Sequence, residues 1–397
     1  MNKQKILLIL GLAGFVVMAD NWVVSPILPS ISKDLGMNLA SASLIISAYM
    51  IPFGLFQLLF GYLADKFGKR QVISFAMVFF TIATGLCSLA SGLTNLAIYR
   101  ALTGIFAASV MPISLALIGD IFPLNERQSA IGTFLGISFL GQGLSMAIGG
   151  SIAYFFNWRG VFVIYAILSI VVTILLLTVG RSIPSTKNKD SKVFAPYLNL
   201  LKNPLSLKIY LLVFFEGFFL LGSFSFLSGF IQNIYDFNNF LIGLIMSMFG
   251  VMSIIGGRIS GKISAKVGRK KTILLGLTFA LLAMIIIVTL GNVLVALIVG
   301  IGLLGIGLML AHSTFLTIAS EFAAKARGVA MSLVAFCFMG GGGLGTALGS
   351  RIVGNTSFIT LFTLYGIGLV GLVLAVSLIK KSFMIATAQH KTAPILR

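Results

Sequence analysis

Twelve apolar runs, each about twenty residues or longer, follow one another along this chain with only short polar segments between them. A helix needs roughly 20 apolar residues, rising about 1.5 Å each, to cross about 30 Å of hydrocarbon. The pattern therefore predicts an all-α integral membrane protein with twelve transmembrane helices. The runs lie near 5–28, 40–62, 71–91, 93–117, 127–154 and 160–181, then near 207–232, 239–260, 271–290, 292–317, 327–352 and 358–380. Only 9% of the residues are charged, against about 25% in a soluble domain. The first run follows Lys3 and Lys5 with no small-residue cleavage site after it, so it reads as a spanning helix that is retained.

A second regularity divides the twelve runs in two. Gly61-Tyr62-Leu63-Ala64-Asp65-Lys66-Phe67-Gly68-Lys69-Arg70 returns 200 residues later as Gly261-Lys262-Ile263-Ser264-Ala265-Lys266-Val267-Gly268-Arg269-Lys270. The same offset pairs Arg127 with Arg327 and Gly149 with Gly349. The chain thus reads as two copies of a six-helix unit: a bundle over 1–181, a linker over 182–206 holding Pro184, Pro196, Pro204 and several lysines, and a bundle over 207–397.

The formal net charge of +19 raises nucleic acid as a partner, but the placement of the charge excludes it. Nearly all of the 28 Lys and Arg residues sit in the short segments on one side of the runs. Only Lys33, Arg159 and Arg351 fall in loops on the other side, and Arg100 falls inside a run. Basic loops stay cytoplasmic, so both termini are expected in the cytoplasm of a multi-pass cell (inner) membrane protein. Cys87 and Cys337 lie inside apolar runs without metal-ligand spacing, so neither a disulfide nor a metal is expected. No cofactor is expected either.

The stretch Gly61-x-Leu63-Ala64-Asp65-x-x-Gly68-Lys69-Arg70, set between the second and third of twelve helices, resembles the signature loop of the major facilitator superfamily, in particular its drug/proton antiporter branch. The resemblance covers the whole chain, including the worn loop copy after helix 8 and the basic central linker. It implies the major facilitator fold: two pseudo-symmetric bundles that rock about a central site and open to one side at a time. It also implies that Gly61, Asp65, Gly68, Lys69 and Arg70, with Asp120 and Arg127, form a gating loop. In that reading Asp65 latches against helix 11 near Arg327, and Lys69 and Arg70 meet Asp120, which stabilises the outward-facing state. The plainer alternative is a solvated loop that fixes topology. Ala265 stands where the first copy has Asp65, so the second loop should latch less well.

Three charges fall inside spans, where each costs about 2.5–3.5 kcal/mol at the bilayer centre on insertion scales. Asp20 in helix 1 and Arg100 in helix 4 lie at matching depth and are expected to pair. Leu96-x-x-x-Arg100-x-x-x-Gly104 resembles the helix 4 motif of proton-coupled members, which implies a proton-coupling role for this pair. A static structural ion pair is the alternative. Glu216 in helix 7 sits in Phe214-Phe215-Glu216-Gly217-Phe218-Phe219 and shares a helical face with Phe219 and Ser223 by i+3 and i+7 spacing. A carboxylate among aromatic rings suits a lipophilic cation, and it also suits a carrier of the proton. Gln142 in helix 5 is a further cavity candidate, against a plain helix–helix hydrogen bond. His312 and His390 are read as neither ligand nor base.

Helix 5 departs from the antiporter pattern: Gly149-Gly150 is present, but Ser145-Met146 stands where a Gly-Pro pair is expected, which counts against strict antiport. Gly340 to Gly343 inside an apolar run form a packing or bending device rather than a phosphate loop. Asn157-Trp158-Arg159 reads as an interface anchor. An intramembrane enzyme would need a reactive cluster at one depth, and Asp20 and Glu216 are at different depths. The expectation is therefore a non-enzymatic, monomeric secondary transporter in the lipid bilayer, taking protons and a small-molecule substrate. The substrates expected are exported amphipathic or cationic compounds of multidrug type; the alternative is a specific nutrient, metabolite or lipid-linked sugar.

Overall fold

The computed structural model describes residues 3–183, 185, 195–322 and 327–379. Twelve helices are long and apolar enough to span a membrane: α1 Lys3–Asp34, α2 Leu39–Phe67, α3 Lys69–Cys87, α4 Leu93–Ile121, α5 Ala130–Phe155 and α6 Trp158–Ser182, then α7 Pro204–Tyr235, α8 Asn239–Val267, α9 Arg269–Leu290, α10 Leu294–Ala319, α11 Val329–Asn355 and α12 Phe358–Leu378. No strand occurs among the described residues. This follows from the medium, because lipid offers backbone groups no partners and a helix satisfies its own.

The repeat is written into the helix ends. Asn38 caps α2 by accepting from the Ser41 amide at 2.7 Å, and Asn238 caps α8 by accepting from Leu241 at 3.0 Å. Asn157 caps α6 through Gly160 at 2.8 Å, and Ser357 caps α12 through Thr360 at 3.1 Å. Each pair is offset by 200 residues, and each cap gives a partner to an amide the helix itself leaves open. Gly68 and Gly268 both take positive φ, +101° and +84°, which an L side chain resists. Helices α1 and α7 are both broken past their midpoints, at Val23 and at Ser225-Phe226.

The first six spans pack on one another, as do the last six, and the two sets meet along α2 with α11 and α5 with α8. Small residues make these crossings close. Gly143 lies against Gly250, and Gly150 against Gly243, with no room for a side chain between the backbones. On the other crossing, Gly54 faces the backbone of Phe336 and Gly340, while Gly343 faces Ile51. The glycine run of α11 also gives Gly341 and Gly345 to a close approach with α7 at Phe214 and Phe218. It serves packing, as its apolar setting suggests.

These contacts close the half of the molecule away from the basic loops. There Ser350 donates to the Ala40 carbonyl at 2.5 Å, and Asn239 donates to Ser30. Trp158 and Arg159 both donate to Asp34, at 3.0 and 2.5 Å, and Arg159 also reaches the Ala90 carbonyl at 3.0 Å. Midway, Trp22 packs on Phe224 and Phe249, with ring centroids 5.2 and 5.3 Å apart. Below this aromatic layer, in the half nearer the basic loops, lies a cavity of about 780 Å³.

A Cβ at Gly150 would meet the Asn239 carbonyl and the Gly243 backbone. Overpacking of this kind costs about 1–3 kcal/mol. Gly150→Val should therefore pry the closed half apart and shift the molecule toward opening on that face. With Cys87 and Cys337 replaced by Ser, a cysteine substituted at Ser350 should react with an impermeant maleimide roughly tenfold faster when Gly150→Val is present.

Candidate functional site

The cavity wall is mostly apolar. Aromatic faces come from Trp22, Phe53, Phe139 and Phe338, and thioethers from Met18, Met111, Met309, Met331 and Met339. Methionine adapts its shape at low cost, so such a wall accommodates ligands of varied outline. Polar groups are few and spread: Gln57 on α2, Thr133 and Gln142 on α5, Ser253 and Arg258 on α8, His312 and Ser313 on α10 and Ser332 on α11. Gln142, expected at the cavity from sequence, lines it, and its amide nitrogen is buried without a hydrogen-bond partner among the described residues.

Glu216, Phe219 and Ser223 do not line the cavity. Phe219 packs on Tyr365 of α12, with centroids 5.8 Å apart, and against Gly368. Ser223 is fully buried and donates to the Phe219 carbonyl. Glu216 is also fully buried, and its Oε2 lies 3.0 Å from His312 Nδ1. The periodicity of α7 correctly puts the three on related faces, but those faces meet α10, α11 and α12 rather than open space. His312, expected to be neither ligand nor base, stands between Glu216 and the cavity, its ring tilted against Phe338 with centroids 4.0 Å apart. The missed signal was depth, since Glu216 and His312 sit at matching heights on an outgoing and an incoming helix. His390 lies outside the described residues.

Asp20 and Arg100 form a buried ion pair. Arg100 Nη1 donates to Asp20 Oδ2 at 2.7 Å and Nη2 reaches the Asp20 carbonyl at 3.4 Å, with side-chain exposures of 1% and 0%. The guanidinium lies over the Tyr49 ring, 4.3 Å from its centroid. Gly104, one turn along α4, lets that helix approach the Tyr49 backbone closely enough for this stacking, which is the physical sense of the Arg100-x-x-x-Gly104 spacing. Asp20 lies between Met18 and Trp22, two residues of the cavity wall, and three residues before the break in α1. Asp20 Oδ1 and Arg100 Nε have no hydrogen-bond partner among the described residues.

At the basic loop, Lys69 Nζ binds Asp120 Oδ2 at 2.6 Å. Arg70 does not join them; it donates to the Arg181 carbonyl at the end of α6. Its counterpart Lys270 donates to the Ser377 and Ile379 carbonyls at the end of α12, 2.6 Å each. In both copies a cation meets open carbonyls at a helix C-terminus, where the helix dipole favours it. Gly61 faces Tyr197 of the linker helix Ala195–Lys202, whose hydroxyl donates to the Leu58 carbonyl at 2.9 Å. Asp65 closes the last turns of α2. The side chains of Arg127 and Arg327 lie outside the described residues, so the latch between Asp65 and helix 11 does too.

The family model for the Major Facilitator Superfamily matches residues 10–346 and 240–384. The chain belongs to that superfamily. It is similar to the uncharacterised MFS-type transporter YwfA of Bacillus subtilis (strain 168), 25% identical over 93% of this chain and 88% of that protein. It is 33% identical to the multidrug transporter protein MdtP of the same organism, over 44% of this chain and 32% of that protein. The matches to drug-resistance relatives span about a third of those proteins' own lengths. Among solved structures, the fold is shared with the nucleoside transporter NupG (D323A mutant), with a TM-score of 0.76 and 15% identity over 94% of this chain and 99% of that one. Superfamily members move small molecules across membranes and are not enzymes.

Removing one partner of a buried pair strands the other charge, at a cost of about 3–5 kcal/mol, whereas replacing both by apolar groups is often neutral. Asp20→Ala should lower the thermal unfolding temperature of the purified protein more than Asp20→Ala combined with Arg100→Leu. Equal losses would show that the pair carries no mutual dependence.

Proposed function

We propose that this chain exports amphipathic small molecules in exchange for protons, by alternating access, as a monomer in the cell (inner) membrane with both termini in the cytoplasm. The cavity carries the reading: about 780 Å³ walled by aromatic rings and methionines suits ligands with apolar bodies and no fixed shape. The basic-loop asymmetry supports the orientation, which makes the present conformation open toward the cytoplasm and closed outside. The cationic half of the sequence expectation loses its support, because Glu216 faces His312 rather than the cavity.

Asp20 and Arg100 are the proposed coupling site. A proton on Asp20 would loosen its hold on Arg100 between two cavity-wall residues and just before the break in α1, which links protonation to the shape of the wall. Each proton crossing 100 mV supplies about 2.3 kcal/mol, enough for a gradient of nearly fifty-fold. With Ser145-Met146 in place of the Gly-Pro pair, α5 runs unbroken past this point, and its glycines still give the α8 contact. The loop 61–70 with Asp120 and Arg127 is the proposed gate. A second reading, uptake of one specific nutrient or metabolite, is favoured by relatives named for riboflavin and hexuronate transport.

Proteoliposomes with an imposed pH gradient test the proposal. Amphipathic substrates should drive alkalinisation of the acidic side in the wild type. Asp20→Asn should abolish this proton movement while substrate binding persists. Transport that ignores the gradient in the wild type would overturn proton coupling and favour a facilitator for a specific solute.

A further inference from the structure

Arg258 is the one permanently charged side chain on the cavity wall among the described residues, and His312 is the only other titratable one. Among the described residues, no aspartate or glutamate lines the cavity. Arg258 is exposed, and no carboxylate of the described residues lies within ion-pair distance of it. This contrasts with Arg100 in α4, which is buried against its own carboxylate. The nearest internal acid, Glu216, is on the far side of His312 and engaged with it at 3.0 Å.

The two basic groups belong to one region of the wall. Helices α8 and α10 run side by side, with Gly256 backed on Ile306 and Ser253 bonded to the Gly305 carbonyl at 3.2 Å. In that register Arg258 stands level with Leu308, and His312 follows one turn later, about 6 Å along the axis. Both line a space whose other surfaces are mostly rings, thioethers and aliphatic side chains, with uncharged amides and hydroxyls between them. Low-dielectric walls lined by one sign of charge focus the field and concentrate the opposite charge. Two further exposed cations, Lys262 and Lys266, follow Arg258 at one and two turns along the same helix.

We infer that the substrate is an amphipathic anion, its carboxylate, sulfonate or phosphate group bound by Arg258 with His312 alongside and its apolar body held by the aromatic and methionine wall. A guanidinium offers two parallel donors that match such a group, and an unpaired one inside a protein cavity gains most from it. A lipophilic cation would meet Arg258 with no acid on the wall to offset it. This inference rests on the amphipathic-cavity reading of the proposed function and narrows it.

Two probes that share an aryl body and differ by one anionic group separate the two claims: anilinonaphthalene sulfonate and neutral phenylnaphthylamine. Binding to the full chain in nanodiscs is read by energy transfer from Trp22, which lines the cavity, with Trp158 replaced by Phe. The sulfonate should bind about tenfold tighter than the neutral probe, the scale of one charge-assisted contact. Arg258→Gln should remove that preference while the neutral probe keeps its affinity, and Arg258→Lys should retain part of it. The neutral probe also reports that each variant's cavity is intact, and the wild-type preference is read without any substitution at Arg258. Equal binding of the two probes by the wild type, or a preference that survives Arg258→Gln, overturns the anion assignment and leaves the amphipathic cavity standing. No transfer to either probe overturns both.

Discussion

A charge inside a water-poor protein must find a partner or a reason to be open to solvent, and that constraint organises this molecule. Asp20 and Arg100 satisfy one another at 2.7 Å in the core of the first bundle. Glu216 is met by His312 in the second. Arg258 has no such partner among the described residues, and its exposure to the cavity is what makes that position tolerable. The three arrangements divide the internal charges between the two bundles and the space between them. They also separate the proposed proton site from the proposed substrate site, by burial as well as by helix.

The repeat supplies the frame, and the internal charges depart from it. Caps at Asn38 and Asn238, turns at Gly68 and Gly268, and cations on the ends of α6 and α12 all keep the 200-residue offset closely. These are backbone requirements, and backbone requirements do not change when side chains diverge. The internal charges do not keep the offset: Asp20 and Arg100 have no counterparts near 220 and 300, where Leu220 and Gly300 stand. A symmetric scaffold thus carries one ion pair that only one half can lose or gain.

Much of this was legible in the sequence. The number of spans and the six-plus-six division follow from run length and repeat. The Asp20–Arg100 contact follows from equal depth on antiparallel helices, and the Lys69–Asp120 contact from adjacent helix ends. The cavity was legible only in part. Helical periodicity says which residues share a face, so Glu216, Phe219 and Ser223 could be grouped, but not that α7 turns that face toward Tyr365, Gly368 and His312. Arg258 was lost among the other basic residues because it lies close to the loop after α8. Its meaning depends on helix packing that puts it on one cavity with Trp22, Phe139 and Phe338, and no single-helix pattern contains that information.

The breaks in α1 and α7 tie these sites into one device. Trp22 directly precedes the break at Val23, and Phe224 directly precedes the break at Ser225-Phe226. The two rings meet across the bundles at 5.2 Å, and Phe249 of α8 joins them, 4.3 Å from Phe224. They form the layer between the cavity and the closed half. Opening the other way requires this layer to part, so whatever shifts α1 at its break acts on the lock itself. Asp20 lies two residues from Trp22 and its partner Arg100 is held by α4 and stacked on Tyr49 of α2. A change in that pair therefore reaches the aromatic layer through one turn of helix. In the proposed cycle the proton needs no route through the substrate: it works on the hinge from inside the first bundle, while the substrate works on it from below, through the same tryptophan.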